Sequence, residues 1–399
     1  MISAKPYKLI PKIQNYEWGT RNKKAFIPKF LGIKTELDLP YAELWIGAHP
    51  KSSSDILIEN SKFALNEIIK KYPVEILGKE ISKKYKKTLP FLLKILSIDK
   101  ALSIQAHPNL RTAKILHRND AENYPDANHK PEIAIAIDKL NAIVGLKTIQ
   151  QLKKSFEMFP ILYELINENL KKKINEENFT KNLDKEIYSQ IMNCNSKKME
   201  FVVKSLVSSI NQNKQKSKIE KQFLTEYENY GIDIGLISLL LFNFIELKKG
   251  EAIFTPAGIP HAYLGGNIIE CMANSDNVVR AGLTNKFKDI KTLTQILQTD
   301  LSKTEVKIFQ NKNITEYKTL AEEFKIKKVI LNSEFTKVIF KNKLPEIHLV
   351  MKGKIKISWG KENIIFKKGE TFLKPANLNS YSINFEEKDS EIIIATISK

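Results

Sequence analysis

Short apolar segments of the length and composition of β-strands occur in two regions of the chain. The first region covers about the first 147 residues, and the second begins after the KKG at 248–250 and continues to the last residue. Short segments punctuated by Pro, Gly and Asn carry the pattern in the first region: PFLLKILSI (90–98), ALSIQAH (101–107) and EIAIAI (132–137).

Between these regions the apolar positions follow the helical period, as in LKKSFEMFPILYELINENL. Thr148 and Gln151 predict a capping box at the start of this helical stretch. The run IGLISLLLFNFIEL (234–247) is interrupted by Asn243 and is too short to cross a bilayer, so we expect a buried helix there. The pattern therefore predicts a mainly β chain with a helical insertion.

A short internal repeat predicts two related β-modules. GEAIFTPAGIPHAY (250–263) can be aligned with GETFLKPANLNSY (369–381), which matches Gly-Glu and Pro-Ala and sets His261 opposite Ser380. Only the first module keeps an imidazole at this position, so we expect no metal in the second.

Composition and charge exclude some classes of function. The 399 residues include 64 Lys+Arg and 45 Asp+Glu, a net charge of +19, but the excess is mostly lysine and is spread along the chain. A nucleic-acid site would group arginines and aromatic residues in a basic stripe, and none is found. Cys194 and Cys271 lie in unrelated contexts and predict neither a disulfide framework nor a thiolate zinc site. Since the N-terminus also lacks a continuous apolar segment, we expect a cytoplasmic protein with no membrane or nucleic-acid partner.

Four side chains with metal-binding chemistry occupy strand and turn positions. In a strand, Ser103, Gln105 and His107 share one face, and Glu132 shares a face with two alanines that leave room for an ion. His261 follows a Pro- and Gly-rich turn. Each histidine alone is more typical of a hydrogen-bonded core or turn residue. Together the four side chains form a mixed N/O set that suits Zn²⁺ or another divalent transition metal.

A second group of charged residues follows His261. Arg280 and Lys286 are suited to phosphate binding, although, taken alone, they are better explained by ordinary surface pairing with Asp276 and Asp289. Lys130 lies next to the predicted ligand Glu132, where it could exchange protons with a substrate.

Several motifs resemble the type I phosphomannose isomerases of the cupin superfamily: IQNYEWGT, YAELWIGAHPKSSS, PFLLKILS, LSIQAHPN, NHKPEIAIA and GEAIFTPAGIPHAYLGGNIIECMANSDNVVRAGLTNKFKD. The match is specific over 10–150 and 230–290, weak in the helical stretch and only architectural after residue 300. Gly265 stands where the second cupin motif has Asn. In the first cupin motif, Gln105 stands where the leading His is expected, and the Glu of the motif comes later in the chain, at Glu132. The isomerase family shares these two departures from the first motif.

The resemblance implies a monomeric aldose–ketose isomerase with one Zn²⁺ per chain that interconverts mannose 6-phosphate and fructose 6-phosphate through an enediol(ate). It implies two cupin-like jelly-roll β-barrels plus an α-helical domain. The catalytic base is left open between Lys130, Glu270 and a metal-bound water, and Asn285 replaces a Pro that is usual before Lys286. The implied metal ligands are Gln105, His107, Glu132 and His261; the implied catalytic residues are Arg280, Lys130, Glu270 and Asp276; the implied substrate or phosphate contacts are Ser103, Lys94, Lys286, His129, Trp18 and Glu43.

The predicted domains follow the change in pattern, and two other functions remain possible. One alternative is another sugar-phosphate cupin, such as a phosphoglucose isomerase; the other is a non-catalytic sugar-binding or regulatory cupin, whose signature would be the loss of Arg280 or of a metal ligand. The predicted segments are 1–147, the N-terminal part of the catalytic cupin domain; 148–249, a helical domain; 250–300, the catalytic continuation; and 301–399, a C-terminal cupin-like domain without metal.

Overall fold

The computed structural model describes residues 2–177, 179–386 and 389–398. About 30% of the chain is helix and 33% is strand. The prediction of a mainly β chain was therefore wrong, because amphipathic segments outside the predicted helical stretch also form helices. The helices are α1 (Phe26–Leu31), α2 (Leu65–Lys71), α3 (Pro73–Leu77), α4 (Lys79–Lys84), α5 (Leu110–Asn119), α6 (Ile149–Met158), α7 (Glu168–Asn175), α8 (Leu183–Met192), α9 (Ser196–Gln212), α10 (Lys218–Tyr230), α11 (Gly235–Leu241) and α12 (Ile290–Ile296), with 3-10 turns at Asn22–Lys24, Pro160–Leu165 and Leu301–Thr304.

The strands form three antiparallel sheets. They are β1 (Tyr7–Ile10), β2 (Lys12–Gln14), β3 (Glu43–Gly47), β4 (Asp55–Ile58), β5 (Ser61–Ala64), β6 (Phe91–Ile98), β7 (Ile104–Ala106), β8 (Glu132–Ala136), β9 (Leu140–Leu146), β10 (Phe242–Leu247), β11 (Ala252–Thr255), β12 (His261–Ala273), β13 (Val279–Gly282), β14 (Lys307–Asn311), β15 (Ile314–Lys318), β16 (Lys325–Leu331), β17 (Lys337–Lys341), β18 (Glu346–Lys352), β19 (Lys354–Trp359), β20 (Glu362–Lys367), β21 (Thr371–Lys374), β22 (Ser380–Phe385) and β23 (Ser390–Thr396).

None of the three sheets closes into a barrel over the described residues, so the predicted jelly-roll barrels are not seen as closed structures. The nine-stranded sheet has the order β14-β15-β16-β23-β18-β21-β1-β4-β5, so strands from both ends of the chain share one sheet. The four-stranded sheet is β17-β22-β19-β20, and the ten-stranded sheet is built around β12.

The long strand β12 positions the residues of interest. Its first residue, His261, is paired with both Gln105 of β7 and Val144 of β9, and its second half pairs with β6 and β8. This one strand therefore brings the motifs near residues 105, 132 and 261 together.

The helical stretch leaves the ten-stranded sheet and returns to the same edge, because β9 and β10 pair with each other on either side of α6–α11. The predicted capping box of Thr148 and Gln151 is confirmed at the start of α6. The predicted helix over 234–247 is wrong in its second half: it ends at Leu241, and Phe242–Leu247 is strand β10. The backbone of FNFIEL completes the ladder beside β9, which a helix there would leave open.

Of the three strands predicted in the first region, two are confirmed over nearly their whole length and one is shorter than predicted. The strands predicted at 90–98 and 132–137 are confirmed as β6 and β8, whereas only Ile104–Ala106 of 101–107 is strand. No helix among the described residues is both long and apolar enough to cross a membrane.

The two faces of β8 pack into different cores. Ile133 and Ile135 belong to a large core shared with the nine-stranded sheet, whereas Ala134 and Ala136 belong to a smaller one on the other face. The strict alternation in EIAIAI therefore reflects a strand buried on both sides.

Candidate metal centre and active-site cavity

Three side chains converge at the start of β8 and β12. The Nε2 atom of His261 is 2.8 Å from Glu132 Oε1, and that of His107 is 3.3 Å from Glu132 Oε2. One ligand atom from each residue lies within 4.8 Å of the other two, and all three side chains are fully buried. The structure thus assembles three of the four predicted metal ligands.

The chemistry of these side chains fits a divalent transition metal. His107 Nδ1 is 2.9 Å from the carbonyl of Asn277, and His261 Nδ1 is 3.0 Å from that of Ile259. Each Nδ1–H therefore donates to a carbonyl, which leaves the Nε2 lone pair directed at the cluster. Both Nε2 atoms are buried without a hydrogen-bond partner among the described residues. Buried polar atoms are normally satisfied, so an ion is the missing partner that this set accommodates.

Electrostatics keeps His107 and Glu132 in their metal-binding forms. Burial, with the charge of Lys130, lowers the pKa of His107 to about 4, so its imidazole is neutral near pH 7. Burial alone would raise the pKa of Glu132, but Lys130 and the two imidazoles hold it well below its usual range. Lys130 Nζ is 3.0 Å from Glu132 Oε2. The hydroxyl of Tyr263 donates to Glu132 Oε1 at 3.2 Å.

Gln105, the fourth predicted ligand, lies beside the cluster. It occupies the centre of β7, paired with His261 on one side and Arg280 of β13 on the other. Its side chain lines an adjacent cavity, and Ser103 Oγ is 3.5 Å from its Oε1. Gln105 and Lys130 therefore lie at the boundary between the buried cluster and this cavity.

The cavity has a volume of about 320 Å³, within the range of about 300–1,000 Å³ that is common for small-molecule sites. Its walls come from β3, β6, β7, β12, β13 and the loop after β13. Predicted residues that line it are Trp18, Glu43, Lys94, Ser103, Gln105, Lys130, Glu270, Asp276, Arg280 and Lys286.

Lys94 is held between two carboxylates on the cavity wall. Its Nζ is 3.1 Å from Glu270 Oε1 and 3.2 Å from Glu43 Oε2, and it lies 5.0 Å from the centroid of the Trp45 ring. Burial alone would lower the pKa of Lys94, but the two carboxylates outweigh burial and raise it. Burial raises the pKa of Glu270 despite the charge of Lys94.

Arg280 and Lys286 are the cations of this cavity that have no carboxylate within ion-pair distance among the described residues. Burial lowers the pKa of Arg280, and burial together with Arg280 lowers that of Lys286. Lys286 Nζ lies 5.8 Å from the centroid of the Tyr16 ring, and the Lys286 backbone N–H donates to Thr284 Oγ1, so the loop after Asn285 keeps this side chain at the cavity.

Asp276 is fixed by the loop after β3. Lys51 Nζ is 2.9 Å from its Oδ2, His49 Nε2 is 3.7 Å away, and its backbone N–H donates to Asp126. Burial alone would raise the pKa of Asp276, but His49 and Lys51 lower it.

His129 is the predicted pocket residue that the structure sets apart from this cavity. Its Nε2 is 2.7 Å from Glu323 Oε1, and it lines a different cavity together with Pro131. Lys130, the next residue, lines the active-site cavity, so the two neighbouring side chains face different cavities.

Three residues that the sequence pattern did not indicate also lie at the site: Tyr263, Trp45 and Lys51. Tyr263 follows His261 by two positions on one strand, so alternation could have placed both on one face. Trp45 follows Glu43 by two positions on strand β3 in the same way, and its indole N–H donates to the Glu43 carboxylate. Lys51 carries no such signal, because its contact with Asp276 joins two distant loops.

Comparisons with known proteins agree with this geometry. The family model described as phosphomannose isomerase type I, catalytic domain, matches residues 7–149. Mannose-6-phosphate isomerase of Saccharomyces cerevisiae is 40% identical over 319 residues, which is 74% of either chain. Mannose-6-phosphate isomerase 2 of Arabidopsis thaliana is 33% identical over 388 residues, 92% of this chain and 88% of that one. The structure of mannose 6-phosphate isomerase from Salmonella typhimurium bound to its substrate F6P and zinc superposes with a TM-score of 0.87 at 26% identity, covering 99% of this chain and all of the other.

Proposed function

The chain belongs to the type I phosphomannose isomerases, and on that premise we propose that it interconverts mannose 6-phosphate and fructose 6-phosphate with the help of one zinc ion. The observation that carries this proposal is the buried His107–Glu132–His261 cluster, set directly behind a polar cavity of about 320 Å³. The reaction takes a proton from C2 of the open-chain aldose and returns it to C1 through an enediol(ate).

Zinc would be held by His107, Glu132 and His261, with Gln105 as the fourth ligand from the neighbouring strand. Bound there, the metal supplies a Lewis acid at the cavity boundary. The amide of Gln105 and the ammonium of Lys130 lie on this boundary, so both can contact the hydroxyl groups at the reacting end of the sugar.

The phosphate group of the substrate would bind to Lys286, which lines the cavity without a carboxylate partner among the described residues and offers phosphate oxygens a point charge. Ser103 and Trp18 complete the wall around the sugar. Lys94 was predicted as a phosphate ligand; its two carboxylate partners support a different role, the orientation of Glu270 and Glu43.

Glu270 and Lys130 are the candidates for proton transfer between C2 and C1. The raised pKa of Glu270 favours it as the base, since a more basic carboxylate takes a carbon-bound proton more readily. Lys130 and Arg280 would then stabilise the negative charge of the enediolate. Asp276, anchored by Lys51, would hold the edge of the cavity in place.

The C-terminal module keeps a carboxylate at the position of Glu132 but has Ser380 at the position of His261. Glu132 starts β8 opposite Thr255, and Glu346 starts β18 opposite Lys374, which is the residue aligned with Thr255 in the internal repeat. Tyr381 donates to Glu346, although the internal repeat aligns it with Ala262 and not with Tyr263. The matching strand pairings support a common cupin-like origin of the two modules, and Ser380 in place of His261 supports a metal-free second module. The domain boundaries, the monomeric state, the cytoplasmic location and the absence of a nucleic-acid partner stay predictions.

The proposed reaction is tested with the purified chain, zinc analysis and two substrates. We expect one zinc per chain and turnover of mannose 6-phosphate to fructose 6-phosphate, with little turnover of glucose 6-phosphate. Preference for glucose 6-phosphate would favour the other isomerase class, no turnover in the zinc-loaded protein would favour a binding protein, and two zinc ions per chain would contradict a metal-free second module.

Two variants connect the activity to the site. His107→Ala should lose both zinc and turnover, whereas His348→Ala, which removes an equally buried histidine of the C-terminal module, should keep both. Arg280→Ala should keep zinc and lose turnover by about 10²–10³-fold, because it removes a cation aimed at developing charge. An active His107→Ala protein without metal would refute the site, and an Arg280→Ala protein with normal kcat would remove Arg280 from the mechanism.

A further inference from the structure

A second cavity lies on the opposite side of β12 from the active-site cavity. Ile269 lines it, whereas the next residue, Glu270, lines the active-site cavity, because adjacent side chains of a strand face opposite ways. The second cavity has a volume of about 350 Å³ and opens where the two large sheets meet. We call it the inter-sheet cavity.

The floor of the inter-sheet cavity is apolar. It is formed by buried aliphatic and aromatic side chains of the large shared core, with Met351 at the edge. The main contributors are Phe30, Ile135, Ile269 and Ile393.

The rim of this cavity is basic. Lys249, Lys328, Lys352 and Lys368 line it, with Glu391 as the one carboxylate among the lining residues. Lys352 pairs with Asp389 at 3.5 Å, whereas the other three lysines have no ion pair among the described residues. Three unpaired ammonium groups against one carboxylate leave an excess of positive charge over an apolar floor.

Two of these lysines point at the cavity rather than away from it. Lys368 Nζ lies 5.7 Å from the centroid of the Phe30 ring. Lys328 Nζ lies close to Gly250 on the cavity wall, at 3.7 Å from the position that a Cβ of this residue would take. The Gly250 carbonyl accepts a hydrogen bond from the Tyr317 hydroxyl at 3.0 Å. Cationic groups thus approach the floor from two sides.

We propose that the inter-sheet cavity binds a small amphipathic anion, an aryl or alkyl group that carries one carboxylate or sulfonate. The apolar part would cover the floor and the anionic group would be bound by Lys328 and Lys368. Apolar cavities with a few convergent polar groups are the usual form of small-molecule sites. Lysine stems that merely cover the edge of a core would give the same rim without a site, so the test must separate the two cases.

The test titrates the zinc-loaded full chain with 8-anilinonaphthalene-1-sulfonate by fluorescence. A Lys328→Glu/Lys368→Glu double variant should bind this probe about tenfold more weakly, because two attractive charges become repulsive. The matched control is Lys337→Glu/Lys341→Glu, on the exposed edge strand β17, which changes the net charge equally and should leave binding unchanged.

Two further arms identify the site and the chemistry. The uncharged probe N-phenyl-1-naphthylamine should bind wild type and both double variants alike, since it lacks the anionic group. Saturating mannose 6-phosphate should not displace the anionic probe, because it would occupy the opposite side of β12. No binding, equal weakening by both double variants, or displacement by the sugar phosphate would each overturn the proposal.

Discussion

Tyr263 shows how a single residue can act on the metal site without touching the metal. Its buried hydroxyl donates to Glu132 Oε1, the oxygen that also faces His261. We expect Tyr263→Phe to weaken zinc binding by about tenfold, because loss of an outer hydrogen bond leaves a ligand less well oriented. Competition with a chromophoric chelator measures this affinity, and turnover at saturating zinc should change much less.

The control for this prediction is Tyr188→Phe. Tyr188 is also fully buried, and its hydroxyl is 3.1 Å from Ser238 Oγ in the helical stretch, far along the chain from the ligands. Its removal should lower stability by about 1 kcal/mol, the usual value for one neutral hydrogen bond, without an effect on zinc. Equal zinc affinity in both variants would show that Tyr263 only contributes to packing.

Residue patterns predicted the metal cluster better than the cavity around it. Alternation along a strand is local, so the sequence alone could place Glu132 on the same face as its neighbouring alanines. Whether Lys94 is free to bind a phosphate depends instead on Glu43 and Glu270, two carboxylates that pair with it from other strands. For His129, the sequence could not show that its side of the segment faces Glu323, almost two hundred residues away.

At the scale of elements, two glycines let the start of α11 approach β13. A Cβ on Gly282 would stand 2.6 Å from Gly235 Cα, and Asp233 Oδ1 accepts from the backbone N–H groups of both Gly235 and Leu283. We expect Gly282→Ala to cost about 1–3 kcal/mol, because neither backbone can yield easily. It should also reduce kcat, since β13 carries Arg280.

Urea unfolding and steady-state kinetics test this contact. The control is Gly265→Ala in β12, where an added Cβ would meet nothing within 4 Å, so stability should change little. If Gly282→Ala were as stable and as active as Gly265→Ala, the close approach of α11 would not position the arginine strand.

The end of the helical stretch shows a limit of pattern analysis. A short apolar run such as LLLFNFIEL fits a buried helix and a buried strand equally well, because periodicity is lost when every face is covered. The chain changes from helix to strand between Leu241 and Phe242, where the free edge of β9 is available for pairing. That edge lies almost a hundred residues earlier, so no local window contains the deciding information.

At the scale of the whole molecule, the two ends of the chain are joined in one sheet and one core. β1 pairs with β21 on one side and with β4 on the other. The large core combines Leu9, Ile95 and Ile269 with Ile347 and Ile393 from the C-terminal module. The repeat predicted two modules, but the shared sheet depends on the register between β1 and β21, which neither repeat unit encodes.

Because the core is shared, we expect zinc to stabilise the C-terminal module, although the zinc ligands belong to the ten-stranded sheet. Two single-tryptophan variants can follow urea unfolding by fluorescence. A variant that keeps only Trp45 reports on strand β3 of the ten-stranded sheet, and one that keeps only Trp359 reports on strand β19 of the C-terminal module. At a free zinc concentration 100 times the Kd, binding to the native state adds about 2.7 kcal/mol. Because one cooperative unit unfolds as a whole, both tryptophans should report the same midpoint and the same increase on adding zinc. A zinc-dependent Trp45 transition beside an unchanged Trp359 transition would instead mean that the modules unfold separately, despite the strand pairing between β1 and β21.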